Sequence, residues 1–171
     1  MAPGARAQPC ADPSQLQISY GAQAFTVVRR LTGVRAPLIS SGRAEIAPDQ
    51  VVWQVLDPLE IRTVITPSGV TQTVADGPTQ QISTNGDIFF SSSGLYSLLT
   101  GDFQALRAFY SINRGSGAAN GHWLMQLKPK DAKLAQFVSA LEVTGCKSVS
   151  GVTLRQPAGD RMEITFAPLE D

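Results

Sequence analysis

The sequence predicts a mainly antiparallel β protein interrupted once by a helical segment. Apolar residues recur with a period of two along most of the chain, and turn-forming clusters separate these runs at roughly the 8–12-residue spacing of meandering all-β folds. No helical pattern lies between successive early strands, as parallel βαβ units would require.

Length and composition set the frame. A chain of 171 residues fits one domain with one core. Residues 1–13 are rich in Ala, Pro and Gly and read as a flexible lead-in, with residues 14–171 as a single domain. The 14 basic and 14 acidic side chains cancel, and no Lys/Arg cluster is interleaved with aromatics to follow a phosphate backbone, so nucleic acid is excluded as a partner. No run reaches the roughly 18 apolar residues that span a bilayer. The N-terminus MAPGARAQPCADPS has no apolar signal region, and the chain is read as soluble. Met1 is either a start codon added to a mature exported protein or the true start of a cytosolic one.

From Ser14 to Ala24, the spacing of Leu16, Ile18, Tyr20 and Ala24 fits a short helix against the sheet or an extended arm, and the helix is preferred. AFTVVRRL then alternates, with Phe25 and Val27 on one side. In the next pair, Ala44 and Ile46 share a face, Val51, Trp53 and Val55 share a face, and Ala-Pro-Asp-Gln between them is turn chemistry. LEIRTVITPSGVTQTVADG supplies a second hairpin turning at Pro-Ser-Gly. Between Ile88 and Leu106 the period changes. Leu95, Leu98, Leu99, Asp102 and Phe103 fall at helical spacing after a Ser-rich start able to cap a helix. Period two returns in RAFYSIN, GHWLMQLKP, FVSALEV, SVSGVTLRQP and RMEITFAP, separated by the turns GSGAANG, PKDAK, TGCK and PAGD.

No catalytic residue, metal or cofactor is read from these patterns. His122 is the single histidine and reads as the start of a strand. HExxH, GxSxG and Walker motifs are absent. The SSSG run at Ser91–Gly94 reads as a helix start, and the glycines at 115, 117 and 121 read as a hairpin turn rather than a dinucleotide loop. Asp102 reads as a helix-end or turn residue, or as part of a moving lid. Cys10 and Cys146 have no CxxC spacing and no histidine near them in sequence, which argues against a metal site. They are either a disulfide or two unrelated thiols. Trp53 and Trp123 alternate onto apolar faces, as core residues or as a cavity wall.

The ordered set of motifs carries a resemblance. F-T-x-x-R from Phe25, PL-x-SSG from Pro37, Ala47-Pro48 with Trp53 and Pro58, a TxxG turn, a helix after mid-chain, Trp123 followed by Pro129-Lys130-Asp131, and a closing G-D-R-x-x-I-x-F together resemble the LolA-like family. These are periplasmic carriers that localise lipoproteins in Gram-negative bacteria. The match runs from about Phe25 to Phe166.

The resemblance implies an incomplete antiparallel β-barrel of about eleven strands, covered by a helical lid over a cavity that shelters lipoprotein acyl chains. Its wall would comprise Phe25, Val27, Ile46, Val51, Trp53, Val55, Trp123, Met125, Ile164 and Phe166, and its lid Leu95, Leu98, Leu99 and Phe103. It further implies a periplasmic monomer, no cofactor and no enzymatic activity. An inner-membrane export complex and an outer-membrane receptor would be its partners, and in an oxidising compartment Cys10 would bridge Cys146. Two departures stand out. The Arg that precedes the hairpin proline in the family, and helps hold the lid, is Ala47 here. The usual aromatic strand after the second hairpin is the polar VTQTVADGPTQQIS. These leave room for another cargo, such as a glycolipid, a fatty acid or a polyene pigment. A LolB-like receptor is disfavoured, because Cys10 lacks a lipobox.

Overall fold

The structure is a computed structural model that describes residues 10, 12, 20–66, 68–82, 95–99, 102–115 and 121–169. Within them the alternating runs form eleven strands: β1 (Gly21–Arg30), β2 (Leu38–Ile46), β3 (Val51–Asp57), β4 (Ile61–Thr66), β5 (Gly69–Val74), β6 (Thr79–Ile82), β7 (Tyr110–Arg114), β8 (Trp123–Pro129), β9 (Ala140–Gly145), β10 (Val149–Arg155) and β11 (Arg161–Pro168). Three short helices accompany them: α1 (Leu95–Leu99), α2 (Phe103–Arg107) and α3 (Ala132–Ala135).

All eleven strands belong to one antiparallel sheet in the order β6-β5-β4-β3-β2-β1-β11-β10-β9-β8-β7. Two meanders, β1 to β6 and β7 to β11, are zipped together by β1 and β11 from Gln23↔Pro168 to Arg30↔Arg161. Among the described residues, β6 and β7 are the two sheet edges. The sheet therefore curls without closing its hydrogen-bond ladder. No helix among the described residues is long and apolar enough to cross a membrane.

Turn chemistry sets the register. Around Pro48-Asp49, the Ala47 N–H donates to the Gln50 carbonyl at 2.9 Å, which fixes Ile46 opposite Val51. The GDR segment has a structural role: Asp160 Oδ1 accepts from the Thr32 N–H at 2.8 Å, and Thr32 Oγ1 donates to the Ala158 carbonyl at 3.0 Å. The β1–β2 and β10–β11 turns are thus tied at the same end of the sheet. Gly42 is demanded by close approach. Its register with β3 shifts at this point, and a Cβ would lie 1.9 Å from the Gln54 carbonyl oxygen and 2.8 Å from the Phe25 ring. Such irregularities bend a strand, and this one falls beneath the aromatic wall described below.

Four expectations are corrected. The helix preferred for Ser14–Ala24 is overruled where it can be tested, because Gly21–Ala24 belongs to β1 and pairs with Arg43–Ile46 of β2. Its residues 14–19 lie outside the described residues, as do residues 1–13 apart from 10 and 12.

The helix expected up to Leu106 is two pieces, with residues 88–94 and 100–101 outside the described set. At Asp102 the backbone is not helical (φ −85°, ψ 73°), and its side chain accepts from the Ala105 N–H, so Asp102 ends one piece and caps the next. The strand read in RAFYSIN starts only at Tyr110, since Arg107 closes α2. The PKDAK turn contains α3, because Asp131 caps it by accepting from the Lys133 N–H at 2.9 Å.

Asp102→Ala should cost α2 about 1 kcal/mol. Hydrogen exchange should then speed up at the Ala105 and Leu106 amides while β1 and β11 amides keep their protection. Unchanged exchange at Ala105 would show that the cap does not hold α2.

Candidate hydrophobic ligand site

Strand pairing decides which side chains share a face, because residues opposite one another in an antiparallel ladder point the same way. One inner row runs Ile61, Val55, Gly42, Phe25, Phe166. A second runs Val27, Ile164, Val152, Val143, Met125. A third runs Val70, Ile65, Val51, Ile46. The register therefore continues one apolar face from β5 across β1 to β8.

Aromatic rings occupy its centre. Phe25 stacks on Trp53 with ring centroids 3.8 Å apart and planes 17° apart. Phe166 meets Trp53 edge-on at 6.1 Å and 87°. The Phe25 ring reaches Trp53 over Gly42, the position that admits no side chain. Trp53 is only 4% exposed.

Most of the residues expected in the wall and lid belong to one cluster. Phe25, Ile46, Val51, Trp53, Trp123, Ile164, Phe166, Leu98 and Leu99 are buried together, and Val27, Val55, Phe103 and Met125 are half-buried against them. The Leu95 side chain lies outside the described residues. The cluster also takes in Leu127, Leu141, Val143, Val152 and Leu154 from the later strands, with Leu106, Tyr110 and Val138. The alternation in GHWLMQLKP, ALEVTG and VSGVTLR is the signal for Leu127, Leu141, Val143, Val152 and Leu154. Burial raises the Tyr110 phenol pKa above its ordinary value, so this group stays neutral.

The wall is not uniformly apolar. Thr63 is 1% exposed and lies in the row of Trp53, opposite Gln72. Gln72 Nε2 donates to Thr63 Oγ1 at 3.2 Å, and Gln80 continues the row on β6. The polar sequence noted in VTQTVADGPTQQIS thus puts Gln72 and Gln80 on the inner face beside Val70 and Ile82, which pack in the apolar cluster.

An opening exists at the end of the wall. The β10–β11 ladder has its last pair at Gly151↔Thr165, while β11 continues along β1 to Pro168. A cavity of about 370 Å³ occupies the gap, lined by Gly21, Gln23, Ser148, Val149, Phe166 and Pro168 among others. Phe166 belongs to both this cavity and the aromatic cluster.

Beside it, Cys10 and Cys146 form a disulfide across a sequence separation of 136. The Trp123 indole N–H donates to the Cys146 carbonyl at 2.9 Å. His122, read from sequence as the start of a strand, precedes that tryptophan and lies beside the bridge. His122 is far from both cysteines along the chain, but folding brings the three side chains together.

No family model matches the chain, and no curated protein matches it in sequence. Solved structures do match. A domain of Vibrio parahaemolyticus described as an outer-membrane lipoprotein-sorting protein domain is 9% identical, covering 92% of this chain and 88% of its own, with a TM-score of 0.51. A DUF1329 family protein of Desulfovibrio piger is 12% identical over 85% of this chain and 82% of its own, with a TM-score of 0.48. A LolA superfamily protein of Nitrosomonas europaea is 7% identical over 93% and 90%, with a TM-score of 0.43. At such identities the likeness is one of fold, and the Vibrio domain carries it. The open eleven-stranded antiparallel sheet, its short helices and this match together give the chain the fold expected from the sequence, an incomplete antiparallel β-barrel of LolA-like architecture.

Proposed function

We propose that this protein is a periplasmic carrier that shelters acyl chains, of lipoproteins or of a related lipid, between the inner face of the sheet and helices α1 and α2. It would act as a binder rather than a catalyst. An inner-membrane complex would load it, and an outer-membrane receptor would unload it. The observation that carries the reading is the largely apolar and aromatic inner face, with whose cluster Leu98, Leu99 and Leu106 of two five-residue helices are buried.

Helices that short are unstable alone. What supports them is burial of Leu98, Leu99 and Leu106, at about 1.5–3 kcal/mol for each fully buried side chain. An acyl chain gains about 0.8 kcal/mol per buried methylene, so about two to four methylenes offset the displacement of one leucine. Displacing all three leucines is therefore offset by roughly six to eleven methylenes, within the length of one acyl chain. The Thr63–Gln72 pair offers a polar contact within an apolar wall, the usual composition of a small-molecule site. The disulfide supports an oxidising compartment.

One observation favours a second reading, a β module with a filled core: Ala44, Val51, Leu127 and Val143 have no exposed surface. Val55→Asn separates the two. In a carrier, the half-buried Val55 site lets the amide reach the ligand space. Binding of a fluorescent fatty acid, read by energy transfer from the two tryptophans, should then weaken more than about tenfold with little change in melting temperature. In a filled core the amide is unsatisfied at a cost of several kcal/mol, giving a large fall in melting temperature. A parent protein that binds no probe and releases no lipid on extraction would refute the carrier reading.

A further inference from the structure

We propose that the dithiol form of this protein binds one thiophilic d10 cation, using Cys10 Sγ, Cys146 Sγ and one ring nitrogen of His122 as ligands and leaving one position open.

The backbone places two of the three ligands, His122 and Cys146, independently of the bridge. Trp123 is registered opposite Gly145, and stepping one residue outwards along the antiparallel pair brings His122 opposite Cys146. Two contacts hold Cys146 in place: its N–H donates to the Ser148 carbonyl at 3.1 Å, and its carbonyl accepts from Trp123. Cys10 arrives from outside the sheet, ahead of β1. The ligand atoms of Cys10, His122 and Cys146 all lie within 4.8 Å of one another, and all three residues are half-buried, so an ion can reach them.

The distances suit such an ion. At about 2.3 Å from metal to sulfur and about 2.0–2.1 Å from metal to nitrogen, a tetrahedral centre sets its ligands roughly 3.5–3.8 Å apart. Opening the bridge lets the two sulfurs separate to that spacing while His122 stays in place. Because Cys10 lies outside the sheet, no strand has to move. Two thiolates and an imidazole are the donor set of Zn(II) and Cu(I), not of Mg(II) or Ca(II).

The chemistry balances through a dithiol donor. It transfers two electrons and two protons to the Sγ–Sγ bond, leaving two thiols, and is itself oxidised to a disulfide. Metal binding then expels the two thiol protons, while neutral His122 supplies a lone pair. A disulfide oxidant returns the bridge: by thiol–disulfide exchange it takes two electrons from the two thiolates, is itself reduced and protonated to two thiols, and the ion is released. The site is thus a metal site only in the reduced protein.

The test uses the full chain, reduced with a phosphine, which becomes its oxide, and desalted without oxygen. Co(II) is the probe and Zn(II) the competitor. The expected result is one cobalt per chain, with thiolate-to-cobalt charge-transfer absorption and intense tetrahedral ligand-field bands, both abolished by Zn(II). His122→Ala should weaken binding by more than about tenfold, since even groups supporting a ligand are worth that much. It should also lose tetrahedral intensity, while the oxidised variant melts like the parent. Cys10→Ser/Cys146→Ser should bind no cobalt. The proposal is overturned if reduced parent and double-serine variant bind Co(II) alike, if His122→Ala keeps the parent spectrum and affinity, or if the reduced parent unfolds and takes up no cobalt.

Discussion

Trp53→Ala should destabilise the protein by about 3–5 kcal/mol, the range for truncating a buried large aromatic. The upper part of that range is expected. Trp53 is almost wholly buried, and it links two other rings, Phe25 face-on and Phe166 edge-on. Such pairs add about 0.5–1.5 kcal/mol beyond area burial. The void cannot collapse readily, because Gly42 beneath it has no side chain to offer and is fixed against the Gln54 carbonyl. Against a total of about 5–15 kcal/mol for a domain, a loss of this size approaches unfolding.

The check is guanidinium denaturation of parent, Trp53→Ala and Trp53→Phe. The phenylalanine variant keeps a ring over Phe25 and should recover about half of the loss. The protein has two tryptophans, so emission in Trp53→Ala comes from Trp123 alone and also reports on the disulfide corner. A loss below about 1 kcal/mol would mean that the Phe25–Trp53–Phe166 cluster is not packed. Added fatty acid should raise the midpoint of the parent if the same rings form a cargo wall, since a ligand of the native state stabilises it by mass action.

Much of this architecture was legible because period two is a local signal. Val51, Trp53 and Val55 announce their common face within five residues, and Pro48-Asp49 announces the turn that registers them against Ile46 and Ala44. Where elements are short, local signals compete and tertiary geometry decides. Gly21 to Ala24 can be read with a helical spacing, yet pairing with β2 on one flank and, from Gln23, with β11 on the other makes them strand.

The helical spacing of Leu95, Leu98, Leu99, Asp102 and Phe103 is genuine, but Asp102 is also a capping residue. Its carboxylate satisfies the Ala105 N–H, so one helix became two. The disulfide corner was legible only in part. Cys10, His122 and Cys146 are far apart in sequence, and no motif spacing encodes a juxtaposition made by the Trp123↔Gly145 register.

The second large effect belongs to that corner. Cys10→Ser/Cys146→Ser should lower stability by about 5 kcal/mol in the chain-entropy model, because the bridge closes a loop over a sequence separation of 136. The loss arises in the unfolded chain, which is free to expand once the link is gone. The native sheet has little reason to change: Trp123 still donates to the carbonyl of residue 146, and the 146–148 turn hydrogen bond involves only main chain. The Asp12–Arg114 pair spans 3.8 Å between exposed side chains, and such pairs contribute about 0–1 kcal/mol. The double variant should therefore show a lower guanidinium midpoint with a larger denaturant slope, the mark of an unfolded state exposing more surface, and near-parent spectra when folded. A midpoint within about 1 kcal/mol of the parent would mean that the bridge does not constrain the chain. Reduced parent protein should start equally weak, but Zn(II) at a thousand times its dissociation constant should return about 4 kcal/mol, because the ion re-ties Cys10 to Cys146 through His122. Reduced His122→Ala, given the same zinc concentration, should recover at least about 1.4 kcal/mol less, the equivalent of a tenfold loss in affinity.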